Sequence, residues 1–236
     1  MSTFVLVHGA WHGSWCWKRV RHSLQAAGHQ VFTPTLTGVG ERAHLLSPQV
    51  NLTTHVEDVV NLVNYEELSD VVLCGHSYAG CVVAGVVARA PDRIRSVVYL
   101  DAFVPEEGQS LHDTLPDDQR ELQLELAKSV GEGWKVPPIP AEVFNVNPTD
   151  RAWVDAQCTA QPIATFQQGV VRQDLAAART TYILAADWDG SPFPQFFDRA
   201  SAKGWHTTTV HCGHDVMLDR PGELTRALIE AGDRTD

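Results

Sequence analysis

The strongest chemical signal in the sequence is a serine in a turn of small residues. Residues 75–80 read Gly-His-Ser-Tyr-Ala-Gly, between an apolar run, Val71–Cys74, and a segment with helical spacing, Ala79–Ala90. A sharp strand-to-helix turn with the pattern G-x-S-x-G presents a serine hydroxyl as a nucleophile, and Ala79, which replaces the second glycine here, is still small. We therefore predict that Ser77 is a nucleophile; a serine that only caps a helix is the alternative interpretation.

A serine nucleophile needs a base that removes its proton near neutral pH, and the sequence contains 11 histidines. In the chain order that goes with this turn, the base follows the last strand. His206, His211 and His214 qualify by position. Because His211 ends the apolar run Thr207–Val210 and can be a strand residue, whereas His214 lies in a glycine-containing loop, we predict that His214 is the base.

The oxyanion that forms during acyl transfer needs N–H groups that are already in position. A glycine-rich loop, residues 8–13, follows the apolar run Phe4–Val7 and can offer such groups beside the serine turn. We predict the backbone N–H groups of Ala10 and Tyr78 as the donors. A phosphate-binding loop is the alternative, but the sequence has neither Gly-Lys-Ser/Thr nor G-x-G-x-x-G in this loop.

These residues have to be positioned by alternating strands and helices. Six short apolar runs predict strands: Phe4–Val7, Val31–Thr33, Val71–Cys74, Val97–Leu100, Tyr182–Ala185 and Thr207–Val210. Helical spacing with start or stop signals predicts helices over Leu52–Val63, with a capping box at Thr54 and Glu57, over Ala79–Ala90 and over Pro221–Ala231. This alternation predicts an α/β fold with a mostly parallel sheet of about six strands, whose ligands bind at the carboxyl ends of the strands.

One long segment departs from this alternation. Residues from about 106 to 172 contain no convincing strand, and they carry a proline-rich stretch and several aromatic residues. A structureless loop of this length is improbable in a compact domain. We therefore predict a single domain, residues 1–236, in which residues 106–172 form a small helical cap over the active end of the sheet.

The motifs together resemble the α/β-hydrolase superfamily, specifically its branch of small plant methylesterases, hydroxynitrile lyases and bacterial pyrethroid-type esterases. The resemblance covers residues 5–13, 35–42, 75–80, 99–105 and 214–218, and it is weakest over the insertion. It implies an α/β-hydrolase fold, Ser77 and His214 as nucleophile and base, and Ala10 and Tyr78 as the oxyanion hole. It also implies that the helical cap lines the substrate pocket.

The acid that orients the base has two candidates. Within the branch that the sequence resembles, plant members have an alanine at the position of Asp101 and an aspartate after the next strand. The bacterial esterases of that branch have an aspartate at the position of Asp101. Asp101 lies between an apolar strand and an apolar Ala-Phe-Val, where a buried carboxylate needs a partner. Asp187 and Asp189 are easily explained as turn residues. We favour Asp101 as the acid, with Asp189 as the alternative.

We accordingly predict a serine carboxylic-ester hydrolase that acts on a hydrophobic small-molecule ester of moderate size through an acyl-enzyme, without a cofactor. One alternative is a hydroxynitrile lyase or another non-hydrolytic enzyme on the same triad. In the branch that the sequence resembles, such lyases carry a threonine in the oxyanion loop and a lysine after the catalytic histidine. This chain has Gly9 and Asp215 at these two positions. The other alternative is a ligand receptor without turnover, which the intact set of Ser77, His214 and an acid argues against.

Composition excludes several other classes. The net charge of −11, without a cluster of Lys and Arg, disfavours a nucleic acid as partner. No apolar run approaches the ~18 residues that cross a bilayer, and Met1–Phe4 does not resemble a secretory signal. Five cysteines without a C-x-x-C pair predict buried thiols in a cytoplasmic protein. His8 and His12 lie in a glycine-rich loop rather than on a helix, so their spacing does not predict a metal site. A homodimer is compatible with the sequence.

Overall fold

A parallel β-sheet forms the centre of the protein. The computed structural model describes residues 1–176 and 179–234. In this part of the chain the strands are β1 (Thr3–Val7), β2 (Gln30–Phe32), β3 (Val71–His76), β4 (Ile94–Leu100), β5 (Lys135–Val136), β6 (Gln161–Pro162), β7 (Thr180–Ala185) and β8 (His206–Val210). Six of them pair in parallel in the order β2-β1-β3-β4-β7-β8. The predicted α/β-hydrolase type of sheet is confirmed.

Helices cover both faces of this sheet. Their bounds are α1 (Lys18–Ala26), α2 (Leu52–Tyr65), α3 (Ala79–Arg89), α4 (Asp117–Ser129), α5 (Arg151–Gln157), α6 (Ala164–Gln167), α7 (Pro194–Ala202), α8 (Val216–Asp219) and α9 (Pro221–Asp233). Short 3-10 helices lie at Ser14–Trp17, Gly40–Leu45, Pro91–Arg93 and His112–Thr114. Helices α2, α3 and α7 contribute to one hydrophobic cluster, and α1 and α9 contribute to a second.

Alternation along the strands explains the two clusters. Val71 and Leu73 of β3 belong to the cluster with α2 and α3, whereas Val72 and Cys74 belong to the cluster with α1 and α9. Successive side chains of a strand point to opposite faces, so a strand covered on both sides is apolar at every position. Every residue of β3 is buried, and its carboxyl end therefore emerges at a fixed place between the helices.

The start of α2 differs from the prediction. The N-cap is Asn51, whose side-chain oxygen accepts a hydrogen bond from the Thr54 backbone N–H at 3.1 Å, and the Thr54 hydroxyl accepts in turn from the Asn51 N–H. The capping box predicted at Thr54 and Glu57 is therefore wrong. Asparagine is as good an N-cap as threonine, and it places the first helical residue at Leu52, which is buried.

The insertion between β4 and β7 is mainly helical but contains more than helices. Helices α4, α5 and α6 lie in it, and β5 pairs with β6 as a short antiparallel ladder. The expectation that this segment lacks strands is therefore wrong for residues 135–136 and 161–162. Sequence periodicity cannot indicate the pairing of β5 with β6, because strands of two residues are too short to show an alternating pattern. Val136 and Phe166 of the insertion are buried in the same cluster as the sheet.

Two further observations bear on the expectations from composition. Among the described residues, no helix is long and apolar enough to cross a membrane. All five cysteines are free thiols, and four of them are buried, but Cys158 is partly exposed, so the prediction of five buried thiols is wrong for this residue. The single-domain boundary, the cytoplasmic location and the oligomeric state stay predictions.

Candidate active site

Ser77 occupies a strained turn between β3 and α3. Its φ is 55°, in the left-handed region that costs a residue with a side chain about 1–2 kcal/mol. Two neighbouring segments hold this backbone in place. The Ser77 N–H donates to the Leu100 carbonyl at 3.2 Å, and the Ser77 carbonyl accepts from the Phe103 N–H at 3.2 Å. A strained residue that is fixed by its neighbours is typical of a functional position.

Close contacts on both sides of Ser77 explain the small residues of the turn. A Cβ at Gly75 would lie 2.6 Å from the Ala79 carbonyl oxygen, and a Cβ at Gly80 would overlap the Phe103 carbonyl oxygen. The positions that cannot hold a side chain are therefore 75 and 80. This explains why the turn forms although Ala79 replaces the second glycine of the sequence pattern.

His214 and Asp101 form a buried hydrogen-bonded pair. His214 Nδ1 lies 2.7 Å from Asp101 Oδ2, and both side chains are almost fully buried. Asp101 Oδ1 accepts a second hydrogen bond from the Ala185 N–H of β7 at 3.1 Å. A carboxylate on Nδ1 fixes the imidazole in the tautomer that leaves Nε2 free to accept a proton. The register that pairs β4 with β7 thus places this carboxylate behind the ring.

The two later aspartates have different surroundings. Asp187 Oδ1 contacts His211 Nδ1 at 3.0 Å, and both of these side chains are exposed. Asp189 is exposed at the edge of the cavity that Ser77 and His214 line. In the described part of the chain, His214 makes no side-chain hydrogen bond to either of them.

Burial sets the protonation of the pair. It lowers the pKa of His214 to about 4, so the ring is neutral near pH 7 and can accept a proton. Burial raises the pKa of Asp101, and the hydrogen bond from the Ala185 N–H opposes this rise. His214 and Ser77 both line the cavity, but no hydrogen bond joins them within residues 1–176 and 179–234.

The two predicted oxyanion donors flank the serine. Ala10 and Tyr78 line the same cavity as Ser77, and neither backbone N–H donates to an acceptor in the described part of the chain. The next N–H along the loop is different, because the Trp11 N–H donates to Gln161 Oε1 at 2.9 Å. Gln161 is buried in the cap, so it holds the loop in a position that leaves the Ala10 N–H without a protein partner.

A buried ion pair joins the glycine-rich loop to the residue after His214. His12 Nε2 contacts Asp215 Oδ2 at 3.1 Å, and His12 Nδ1 donates to the Ala10 carbonyl at 2.7 Å. Burial lowers the pKa of His12, but Asp215 and the nearby Cys158 sulfur together outweigh it and raise this pKa well above the usual value. His12 is thus a cation that donates from both ring nitrogens. In the sequence, His12 is a candidate only for metal binding, and no local pattern indicates this pairing because Asp215 is 203 residues away.

The residue before Ser77 makes a second connection to the same loop. His76 Nε2 donates to the His214 carbonyl at 3.1 Å, and the ring centroids of His76 and His214 are 4.4 Å apart. His76 and the pair of His12 and Asp215 therefore connect the three loops that carry Ser77, His214 and the predicted oxyanion donors.

The cavity at the carboxyl ends of the strands has a volume of about 450 Å³. Its walls are largely apolar, with prolines 137, 138 and 140 and several leucines of the cap on one side. Aromatic side chains supply much of the remaining wall: Trp11, Phe103, Phe144, Phe166, Trp188 and Phe193. In the described residues there is no group of three or more His, Cys, Asp or Glu side chains with the geometry to hold a metal ion.

Comparisons with known proteins agree with this architecture. Residues 4–227 match a protein family described as the alpha/beta hydrolase family. The sequence is 45% identical to a carbendazim hydrolyzing esterase of Nocardioides sp. over 98% of this chain and 100% of that protein. It is also 34% identical to methylesterase 2 of Arabidopsis thaliana, over 45% of this chain and 41% of that protein.

Solved structures show the same fold at lower identity. An extracellular alpha/beta-hydrolase from a Paenibacillus species superimposes with a TM-score of 0.86 at 23% identity, over 99% of this chain and 100% of that chain. A pyrethroid hydrolase from Sphingobium faniae superimposes with a TM-score of 0.77 at 21% identity, over 98% of this chain and 97% of that chain. These likenesses extend over the cap as well as the sheet.

Proposed function

The chain belongs to the alpha/beta hydrolase family and is an esterase-type hydrolase, and from this premise we propose that it cleaves uncharged aromatic esters of moderate size through Ser77, His214 and Asp101. One observation carries the proposal. The imidazole that is hydrogen-bonded to Asp101 and the hydroxyl of Ser77 lie on the wall of one apolar cavity.

The chemistry follows from the roles that these groups can take. Ser77 Oγ attacks the ester carbonyl carbon as His214 Nε2 takes the hydroxyl proton, while Asp101 stabilises the imidazolium that forms. The N–H groups of Ala10 and Tyr78 stabilise the negative charge on the carbonyl oxygen. The carbon–oxygen bond to the alcohol then breaks, and the alcohol leaves with the proton from His214. Water, activated by the same base, hydrolyses the acyl-enzyme and restores Ser77.

The cavity supports an aromatic, uncharged substrate. Flat rings pack well against aromatic and proline side chains, and burial of their apolar surface contributes most of the binding free energy. A charged group would lose its hydration in these surroundings without gaining a partner. The name of the 45% identical relative supports the inclusion of carbendazim among the substrates to be tested.

The test is a panel of p-nitrophenyl, methyl and aromatic esters together with carbendazim. We expect Ser77→Ala and Asp101→Asn each to lower kcat/KM by about a thousandfold or more, because each removes a group that acts in the transition state. Asp189→Asn is the matched control, since this aspartate lies at the same cavity without a hydrogen bond to His214. Loss of turnover in Asp189→Asn, with an active and folded Asp101→Asn, would assign the acid to Asp189 instead.

Labelling separates hydrolysis from the two alternative classes. A fluorophosphonate probe is expected to modify wild-type protein but not Ser77→Ala, because the probe reports an activated serine. A folded wild-type protein that binds aromatic esters without labelling would indicate a receptor. Cyanohydrin cleavage by a protein that does not hydrolyse any ester of the panel would indicate a lyase.

A further inference from the structure

One amide side chain is almost fully buried in the wall of the apolar cavity. Gln123 lies on the inner side of α4 and is 8% exposed, and its neighbours in the wall include Leu126 and Phe166. The other amide and carboxylate side chains of the wall outside the proposed triad, Gln119 and Asp189, are partly or fully exposed and can be hydrated. Gln123 differs from them because most of its side chain is buried.

A buried histidine fixes the orientation of this amide. His112 Nε2 lies 2.9 Å from Gln123 Oε1, and the His112 side chain packs against Phe166 with ring centroids 6.0 Å apart. Burial lowers the pKa of His112, so the ring is neutral and donates its N–H to the amide oxygen. The carboxamide oxygen is thus occupied, and the NH₂ group is the end of the amide that is left to face the cavity.

The NH₂ group of Gln123 has no acceptor in the described part of the chain, within residues 1–176 and 179–234. This nitrogen is not one of the described side-chain atoms that are sealed from solvent without a partner, so it is the accessible end of a largely buried side chain that lines the cavity. An apolar ligand that fills this part of the cavity would remove the remaining hydration of the donor without replacing it. A ligand with an acceptor atom at this place would satisfy it.

We propose that Gln123 Nε2 donates a hydrogen bond to an acceptor atom in the aromatic part of the substrate, so that the enzyme selects heteroaromatic esters over their carbocyclic counterparts. This inference rests on the proposed function, because it places the substrate in the cavity of Ser77. The acceptor is an uncharged ring nitrogen or ring oxygen, since the surrounding wall is apolar and a charged group would not be stabilised there.

The test uses pairs of esters that differ by one ring atom. Methyl 2-naphthoate is compared with methyl quinoline-3-carboxylate and methyl quinoline-6-carboxylate, which place the nitrogen at different distances from the ester. For at least one quinoline ester, we expect Gln123→Leu to lower the ratio of its kcat/KM to that of the naphthoate by about tenfold. Intrinsic differences in ester reactivity cancel, because each ratio is compared between wild type and variant.

Two controls separate recognition from damage to the fold. Gln119→Leu removes a partly exposed amide from the same helix and cavity, and it is expected to leave the ratios unchanged. Gln123→Glu replaces the donor by an acceptor and is expected to lower the ratio for the same quinoline ester. Equal losses for the naphthoate and both quinoline esters, or unchanged ratios for all esters, would overturn the proposal.

Binding without turnover tests the subsite independently of the mechanism. In the Ser77→Ala background, calorimetry is expected to show tighter binding of the preferred quinoline ester than of the naphthoate, and this difference is expected to disappear with Gln123→Leu. If Ser77→Ala still hydrolyses esters, the proposed nucleophile fails while the Gln123 subsite can still be measured. If Ser77→Ala is inactive but binds both esters equally, only the subsite fails.

Discussion

The backbone of Ser77 stores strain at the point where the proposed chemistry occurs. A φ of 55° is unfavourable for any residue with a Cβ, and this conformation is held by one hydrogen bond that Ser77 donates to β4 and one that it accepts from the segment after β4. This turn at the end of β3 places Ser77 in the wall of the cavity. The same φ predicts a difference in stability between two substitutions that both remove the hydroxyl.

We expect Ser77→Gly to be more stable than Ser77→Ala by about 1 kcal/mol, because only glycine adopts the left-handed region without a steric cost. Urea unfolding of the two variants measures this difference. Ser96 in β4, which has extended backbone, is the control, and there glycine is expected to be the less stable of the two. If Ser77→Gly were also less stable than Ser77→Ala, the strained conformation would be contradicted.

At the scale of elements, three loops that come from distant parts of the sequence are held together by buried histidines. His12 in the loop after β1 pairs with Asp215 before α8, and His76 at the end of β3 donates to the His214 carbonyl. These contacts fix the distance between the proposed nucleophile, base and oxyanion donors. The cap adds Gln161, which holds Trp11 from the other side. The site therefore depends on loop-to-loop contacts as much as on the sheet.

The pair of His12 and Asp215 allows a double-mutant cycle. We expect Asp215→Asn to lower the free energy of unfolding by about 3 kcal/mol, because it leaves a buried imidazolium without its counter-charge. His12→Gln combined with Asp215→Asn is expected to cost less than the sum of the two single variants. Urea unfolding at pH 7 measures all four proteins. Additive costs would show that the two side chains do not stabilise each other.

At the scale of the whole molecule, several histidines are buried as neutral rings and make the fold sensitive to acid. His8 Nε2 accepts from the Leu36 N–H at 3.0 Å, and His55 Nδ1 accepts from the Tyr78 hydroxyl at 2.8 Å. Burial lowers the pKa of His8 to about 3 and the pKa of His55 to about 4. Protonation of either ring would also break the hydrogen bond that it accepts.

We expect stability to fall as the pH drops from about 6.5 towards 4. In this range the unfolded chain binds protons that the folded His8 and His55 do not bind, and each such histidine costs up to about 1.4 kcal/mol per pH unit. His12 does not offset this loss, since its raised pKa makes its contribution complete below pH 6.5. Urea unfolding at pH 7, 5.5 and 4.5 measures the slope. A free energy of unfolding that is constant over this range would contradict the buried neutral rings.

The sequence by itself determined the six strands of the parallel sheet, the helices α2, α3 and α9, and the turn around Ser77. These features depend on local patterns, namely apolar runs, helical spacing and small residues at fixed offsets. Each of these patterns can be recognised within a short segment of the sequence. The chain order of the motifs was also sufficient to single out Ser77 and His214 as candidates. The family followed from the same motifs.

Only the tertiary structure decided which groups meet. Asp101 and Asp189 each follow a strand, and the packing of the loops after β4 and β8 brings the carboxylate of Asp101 to His214 Nδ1. The pairing of His12 with Asp215, 203 residues apart, and the orientation of Gln123 by His112 leave no local pattern in the sequence. Contacts between distant residues depend on how elements pack, and packing is a property of the whole chain rather than of any segment.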